Sequence, residues 1–356
     1  MRCSPLLAGD IGGTKTLLSL YQPLDHGLEL LVSERYTSAD WPDLAPMVRA
    51  FLAGPAAAIA APEPQAACFA VAGPVQGGRA QLTNLSWSLG EASLAQATGI
   101  ARVELVNDFA VLIYGLPHLE TSQQAAVRPG QAQADAPLLV MGAGTGLGVA
   151  YGVPGPGGLQ AIATEAAHGE FAARTEAEWQ LKQWLQADLG LDRLSTERVV
   201  SGTGLGHVAR WMLLNRHPSG DHPLWEQARH WLHPDAQPSS QPGSQPSSQP
   251  SDLPAAVASA AVAGDALATA ALELWLSAYA SVCGDLALAA LTRGGIYLAG
   301  GTAFKLLDSL RSPAFEQAFL AKGRMGAVLE SIPITAIIDP AIGSYSAACR
   351  ARMLLS

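Results

Sequence analysis

Charged and aromatic side chains are scarce in this 356-residue chain, at 14% and 6%, and basic residues are outnumbered by acidic ones to leave a formal net charge of −9. With 49% hydrophobic residues and 36 glycines, the composition excludes a disordered or fibrous chain and describes a loop-rich α/β protein. No basic cluster or aromatic-basic stripe offsets the negative charge, so a nucleic-acid partner is not expected. Small anions remain open as ligands, because backbone N–H groups and Mg²⁺ hold them without a net positive protein.

Cysteine is also sparse. Cys3, Cys68, Cys283 and Cys349 lie far apart and form no Cys-x-x-Cys pair, which argues against a structural zinc and a disulfide framework and for a reducing cytoplasm. Before Asp10 the apolar run is too short for a signal-peptide core, so the fold is expected to begin with the chain. The uncharged stretch 136–164 is long enough to span a bilayer, but its eight Gly and three Pro would break a spanning helix. It reads as strand, glycine loop and strand. The alanine-rich segment 266–293 is interrupted by Glu273 and Asp285 and reads as a helix buried in protein, so no membrane is expected.

The length predicts two domains or two lobes. Residues 6–21 carry apolar runs on each side of a Gly-Gly-Thr turn, the pattern of a β-hairpin. Further strands are expected at 68–72, 103–106, 138–141, 147–151 and 296–299, and helices at 43–53, 91–98, 175–189 and 255–291. This alternation is α/β. Two glycine hairpins, at 9–14 and 142–148, hint at an internal duplication. Residues 234–254 place proline at every fourth position among Ser and Gln and read as a disordered surface insertion. A ligand for a proline-binding domain is the sharper alternative, disfavoured because the spacing is not Pro-x-x-Pro.

Several segments can carry chemistry. In Gly9-Asp10-Ile11-Gly12-Gly13-Thr14 the missing Cβ atoms let backbone N–H groups approach a phosphate, and Asp10 could hold Mg²⁺ through water. Lys15-Thr16 makes this a near miss to a Walker A loop, but Thr14 stands where the second glycine belongs, which rejects a P-loop NTPase. Gly142 to Gly148 departs from the dinucleotide fingerprint at Leu147 and reads instead as a second phosphate hairpin, with Thr145 as a donor. Gly202-Thr203-Gly204-Leu205-Gly206 looks similar, yet a helix C-terminus and turn explains it equally well. Asn107-Asp108 closes the strand VELV, where open α/β sheets present ligand groups, so Asp108 could take the proton of an attacking hydroxyl while Asn107 fixes that hydroxyl. The alternative is an ordinary turn. Glu165, His168 and Glu197 suit the vicinal hydroxyls of a sugar. Glu-x-x-His is also a metal-binding spacing, weakened here by the lack of a second pair, and Glu197 alone could be a plain surface residue.

Taken in order, these segments resemble the bacterial glucokinases, of the actin, Hsp70 and sugar-kinase fold, over nearly the whole chain. LLAGDIGGTK looks like that family's first phosphate loop, LTNLSW (82–87) its sugar loop, VELVNDF its catalytic strand end, GAGTGLG its second phosphate hairpin and IYLAGG (296–301) its adenosine-binding strand and turn. The resemblance implies a two-lobed actin-like ATPase (duplicated ribonuclease H-like) α/β fold with a cleft. It places residues 1–117 plus 340–356 in a small lobe and 118–339 in a large one. It carries over Asn107, Asp108, Glu165, His168 and Glu197 as glucose contacts, with Asp108 as the base that takes the 6-hydroxyl proton. Gly9, Asp10, Ile11, Gly12, Gly13 and Thr14 become ATP phosphate contacts, joined by Gly144, Thr145, Gly300 and Gly301. MgATP and glucose are the implied cofactor and substrate, and a homodimer is what the family suggests.

Three features depart from the family. Glu165-Ala166-Ala167-His168 replaces Glu-Gly-Gly-His, Lys15 stands where many members carry Asn, and the Pro/Ser/Gln insertion is foreign to the pattern. None removes a catalytic group. The cysteines cannot form the zinc cluster of the related repressors and sugar kinases, which puts the chain with the zinc-free group. Rival readings are a kinase for another hexose or an N-acetyl amino sugar, a sugar-sensing regulator, and an actin-like assembly module.

Overall fold

The computed structural model describes residues 4–82, 85–231 and 252–355. The first glycine turn separates β1 (Leu6–Ile11) from β2 (Lys15–Pro23), and β3 (Leu28–Thr37) follows. Then come β4 (Ala66–Val71), a short meander of β5 (Val75–Gln76), β6 (Arg79–Gln81) and β7 (Ser88–Gly90), and β8 (Arg102–Asn107). The five longer strands form one sheet in the order β3-β2-β1-β4-β8. Its first three strands pair antiparallel and its last two join in parallel. Parallel pairing is what β1 and β4 require: apart from Asp10, every residue of both is buried, as expected of strands covered on both faces.

The second sheet comprises β9 (Gln124–Arg128), β10 (Leu138–Ala143), β11 (Leu147–Gly155), β12 (Gly158–Thr164), β13 (Ile296–Leu298) and β14 (Ile334–Ile337), in the order β12-β11-β10-β13-β14-β9. Leaving aside β9, which pairs antiparallel on the far edge, this repeats the first sheet strand for strand. The glycine turn after β1 and that after β10 therefore occupy equivalent places, so the internal duplication is real at the level of topology.

Three apolar cores hold this arrangement. One lies under the first sheet against the helix Leu44–Phe51. Another surrounds the helix Ala266–Ala290, where Trp275 and Tyr279 are wholly buried. That helix is long and apolar enough to cross a membrane, but most of it is enclosed within the fold. The third core joins the sheets: Ala8 and Cys68 meet Leu138, Val140 and Ala150 across Val111, Ile113 and the helix Ile342–Met353. Small side chains on that last helix, Ala347, Ala348 and Ala351, allow close approach. A Cβ on Gly115 would overlap the Ser346 hydroxyl. Each fully buried Leu or Ile in these cores contributes roughly 1.5–3 kcal/mol.

The expected helix 255–291 is two helices, Leu253–Val262 and Ala266–Ala290. Gly264 at φ +86° breaks it, and the Asp265 carboxylate caps the second piece by accepting from Ala268 N at 2.8 Å. The insertion was drawn three residues too long, because Asp252 already caps the helix containing Leu253 and Pro254; the rest of it lies outside the described residues. Strands β3, β5, β6, β7, β9, β12 and β14 escaped the sequence reading. β3 and β12 are edge strands with many exposed residues, and β14 has only four residues, so none shows a long apolar alternation.

Arg350 clamps the C-terminal helix to β8 by a two-pronged bond to Glu104, 2.6 and 2.8 Å, while its guanidinium lies over the Tyr114 ring. Glu104→Ala is expected to destabilise the fold by about 1–2 kcal/mol, read as a lower denaturation midpoint. An unchanged midpoint would show that the clamp contributes nothing.

Candidate active site

The parallel strands β1, β4 and β8 end in register, with Ile11 opposite Val71 and Val71 opposite Asn107. Their carboxyl ends therefore deliver Asp10, Gly73 and Asn107-Asp108 to one edge of the sheet, the edge where open α/β sheets place ligand groups. Backbone bonds continue past the strands: Ala72 N donates to Ile11 O at 3.2 Å and Asp108 N to Val71 O at 3.0 Å.

Asn107 is buried and tightly held. Its carbonyl oxygen accepts from Phe109 N and Ala110 N, both at 3.0 Å, and its amide donates to Gly73 O at 3.2 Å. The amide has a second hydrogen for a ligand. Asp108 projects from the same turn, with its carboxylate accepting from Phe109 N at 3.0 Å. Burial, first, and then the nearby charge of Asp10 raise its carboxyl pKa to about 6; Glu165, across the cleft, adds a smaller push. Asp10 is open to solvent at its tip yet ringed by protein, and this partial desolvation raises its pKa against the opposing pull of Arg35. Three carboxylates thus face one space with little positive charge among them.

The first glycine turn is braced from beneath. Gly12 N donates to Lys15 O at 3.0 Å, and the buried Ser38 hydroxyl donates to Gly12 O at 3.0 Å. Gly13 is partly exposed, and Thr14 and Lys15 are exposed.

On the opposite wall, Gly144 N donates to Gly146 O at 2.8 Å to close the second glycine turn. The helix Gly202–Arg216 starts against it: Gly202 N donates to Gly144 O at 2.7 Å and the Thr203 hydroxyl to Thr145 O at 2.8 Å. Gly202 to Gly206 is therefore a helix N-terminus, not a C-terminus and turn. Ser201 caps it, accepting from Gly204 N at 2.9 Å, and this Ser before a glycine-rich helical run was the overlooked signal. Gly300, at φ +83°, turns the chain from β13 into the short helix Gly301–Lys305, whose Thr302 hydroxyl donates to Ala143 O at 2.5 Å. Behind these turns is a cavity of about 450 Å³ whose inner wall includes Leu205, Trp231, Pro254, Ala255 and Ala258. Sequence reasoning missed this apolar wall, assembled from three distant segments.

Glu165 and His168 flank one short turn, 3.6 Å apart and more than half exposed. The neighbouring turn is pinned to theirs by Thr196 N donating to Gly169 O at 2.8 Å. Next to Thr196, Glu197 is half-buried and accepts from Leu147 N at 2.9 Å. It is not a plain surface residue; it joins the Glu165/His168 wall to the second glycine turn. Thr83 and Asn84 of the expected sugar loop lie outside the described residues.

Phe109 connects the two walls. Its ring lies against Gly142 and Gly148, and a Cβ on Gly148 would overlap it. The residue after Asp108 is thus seated on the strands that carry the second glycine turn.

The glucokinase family model matches residues 7–354. This chain belongs to the glucokinase family. A glucokinase of Nostoc punctiforme is 38% identical over 351 residues, spanning 98% of this chain and 99% of its own. One from Synechocystis sp. is 39% identical, with 96% of each chain covered. Among solved structures, the glucokinase from an Antarctic psychrotroph superposes with a TM-score of 0.78 at 27% identity, covering 99% of each chain. A ROK-family glucokinase of Streptomyces griseus, at 18% identity and a TM-score of 0.62, shares the two-lobed actin-like fold.

Gly148→Ala is expected to cost about 2–4 kcal/mol by overpacking against Phe109 and to reduce glucokinase turnover at least tenfold by displacing Asp108. Phe109→Ala added to it should recover part of the stability but not the turnover, measured as a double-mutant cycle. Wild-type turnover in Gly148→Ala would break the link between ring and carboxylate.

Proposed function

We propose that this chain transfers the γ-phosphoryl group of ATP to the 6-hydroxyl of glucose, giving glucose 6-phosphate and ADP, with Asp108 as the general base. The observation carrying this reading is a carboxylate at the end of β8 whose pKa is pushed to about 6. Such a group is still largely ionised at pH 7 yet basic enough to accept a hydroxyl proton as attack proceeds. Asn107, Glu165, His168 and Glu197 are assigned to the sugar hydroxyls, the second amide hydrogen of Asn107 being suited to a hydroxyl oxygen.

The phosphates are assigned to the two glycine turns, Gly9 to Thr14 on one wall and Gly144-Thr145 on the other, where unbranched backbone lets N–H groups approach. The adenosine is assigned to the cavity beside Gly300-Gly301, against Trp231 and Leu205. Asp10 fits Mg²⁺: its charge raises the pKa of Asp108, so a divalent cation near both carboxylates would relieve their repulsion, and Mg²⁺ is commonly held by one or two carboxylates plus substrate phosphates and water. When bound, the ion would neutralise phosphate charge.

Residues 1–117 with 340–356 and residues 118–339 are proposed as the two lobes that close on the sugar. Support comes from the C-terminal helix packing on β1 and β4 and from the two matching sheets. Closure would exclude water and align the hydroxyl with the phosphorus, so positioning and electrostatics supply most of the rate. The proposed setting is a reducing cytoplasm, in keeping with Cys68, Cys283 and Cys349, which are buried free thiols.

Asp108→Asn should lower kcat by roughly 10²–10⁴-fold with a small effect on ATP affinity. The wild-type kcat/KM for glucose should fall as pH drops through about 6, because the base must be ionised. The same substitution should stabilise the fold. A carboxyl whose folded pKa is raised loses stability as pH climbs from its unfolded value of 3.8 to about 6, and partial exposure reduces the gain to on the order of 1–2 kcal/mol. The stability difference should be full at pH 7 and vanish below about pH 4. Near-normal turnover in Asp108→Asn would end this assignment.

A further inference from the structure

A second cavity, of about 580 Å³, opens at the other end of the first sheet. β2 runs nine residues away from the first glycine turn, roughly 30 Å at strand rise, and the turn that follows it contributes Asp25, His26 and Gly27 to the cavity wall. His118 and Glu120 come from the segment before β9, and Tyr345, Cys349 and Arg352 from successive turns along the helix Ile342–Met353. Three separate stretches of chain therefore build it, none of them used by the proposed reaction.

Its chemistry is uneven in a useful way. The chain has only eight histidines, and two of them, His26 and His118, line this space together with Arg352. Arg352 Nη1 donates to Gly27 O at 3.2 Å, which ties the helix to the β2–β3 turn and anchors the guanidinium in the wall. Tyr345 and Cys349 add no charge, since burial pushes both groups up to about 12. The N–H donors of the wall are thus Arg352, His26 and His118, and its carboxylates are Asp25 and Glu120. All five are exposed to the cavity and its solvent. Guanidinium and imidazole N–H groups donate to a phosphate, and carboxylates accept hydrogen bonds from hydroxyls. A phosphate monoester of a polyol has groups for both sets, whereas a bare phosphate has none for the carboxylates.

The geometry points to an accessory binding site for the phosphate monoester of a polyhydroxylated molecule, held at phosphate by Arg352, His26 and His118 and at hydroxyls by Asp25 and Glu120. The product of the proposed reaction has this chemistry, so the assignment of ligand rests on that reading while the site itself does not. The location gives occupancy a consequence. The helix that ends in this cavity begins beside Asp10, where a Cβ on Gly343 would lie 3.3 Å from the Asp10 carboxylate. Its 12 residues span about 18 Å, so one rigid element touches both the cavity and the first phosphate turn.

The test is calorimetric titration of the full chain held in saturating glucose and AMPPNP, which keeps added ester out of the cleft. Glucose 6-phosphate and inorganic phosphate serve as the probes. The expected result is one saturable site for glucose 6-phosphate, at least tenfold weaker for inorganic phosphate, with His26 and His118 ring signals shifting in NMR spectra of the same samples. His118→Ala and Arg352→Gln should each weaken the ester at least tenfold while leaving turnover without added ester unchanged. His26→Ala, which removes an exposed side chain, provides a third variant should Arg352→Gln disturb folding. Equal affinity for the two probes would overturn the assignment to a hydroxylated ester. No saturable binding, or binding that all three variants retain, would overturn the site. Turnover measured in these preparations reports the glucokinase reading separately: an active enzyme without the site removes this inference alone.

Discussion

The seating of Phe109 on Gly142 and Gly148 is the contact on which the arrangement of the cleft depends. Asp108 belongs to the first sheet, and the second glycine turn to the other. Because Phe109 follows Asp108 directly and its N–H bonds both the Asp108 and Asn107 side chains, the position of the ring sets the position of the carboxylate. Glycine at both seats lets the ring approach where a Cβ would overlap it, giving a close contact between elements of different sheets. Protein interiors transmit strain because they are close-packed, so shifts at this seat are passed on to the carboxylate.

Around that contact the structure accepts an electrostatic cost. Asp10, Asp108 and Glu165 face a common space, and among the described residues the Arg35 guanidinium is the charge that pulls the Asp10 pKa back down. Carboxylates grouped in this way disfavour the empty folded state, yet they suit a site that receives hydroxyls and a magnesium nucleotide. The supporting bonds are correspondingly numerous. Ser38 braces the first glycine turn, while Thr203 and Thr302 brace the second glycine turn and its strand. The cavity along the C-terminal helix gives that helix a second set of polar neighbours, Asp25, His26, His118 and Glu120.

Much of this was legible in the residues because it rests on local rules. A Gly-Gly-Thr between apolar runs is a local hairpin signal, and VELV followed by Asn-Asp marks a strand and its end. The two hairpins suggested duplication, and the matching strand orders bear it out. What stayed hidden depends on long-range contacts. The apolar wall formed by Leu205, Trp231 and Pro254 to Ala258 comes from three segments whose own patterns say nothing of one another. Glu197 reads in the sequence as a sugar contact, but its bond to the second glycine turn stayed hidden because its partner, Leu147 N–H, is 50 residues away in sequence. Gly202 to Gly206 misled because glycine commonly ends helices; here the Ser201 cap and the docking of Gly202 N–H on Gly144 start one instead. Edge strand β3 was missed because exposure on both faces removes the period-two apolar signal.

The most direct measurement is product formation followed by ³¹P NMR with MgATP and, in turn, glucose, mannose, fructose, N-acetylglucosamine and no sugar. The account predicts that the ATP γ-phosphorus signal is replaced by that of glucose 6-phosphate in the glucose sample, with little conversion in the others. Hydrolysis of ATP to inorganic phosphate irrespective of sugar, or a phosphorylated product only from a different sugar, would contradict it.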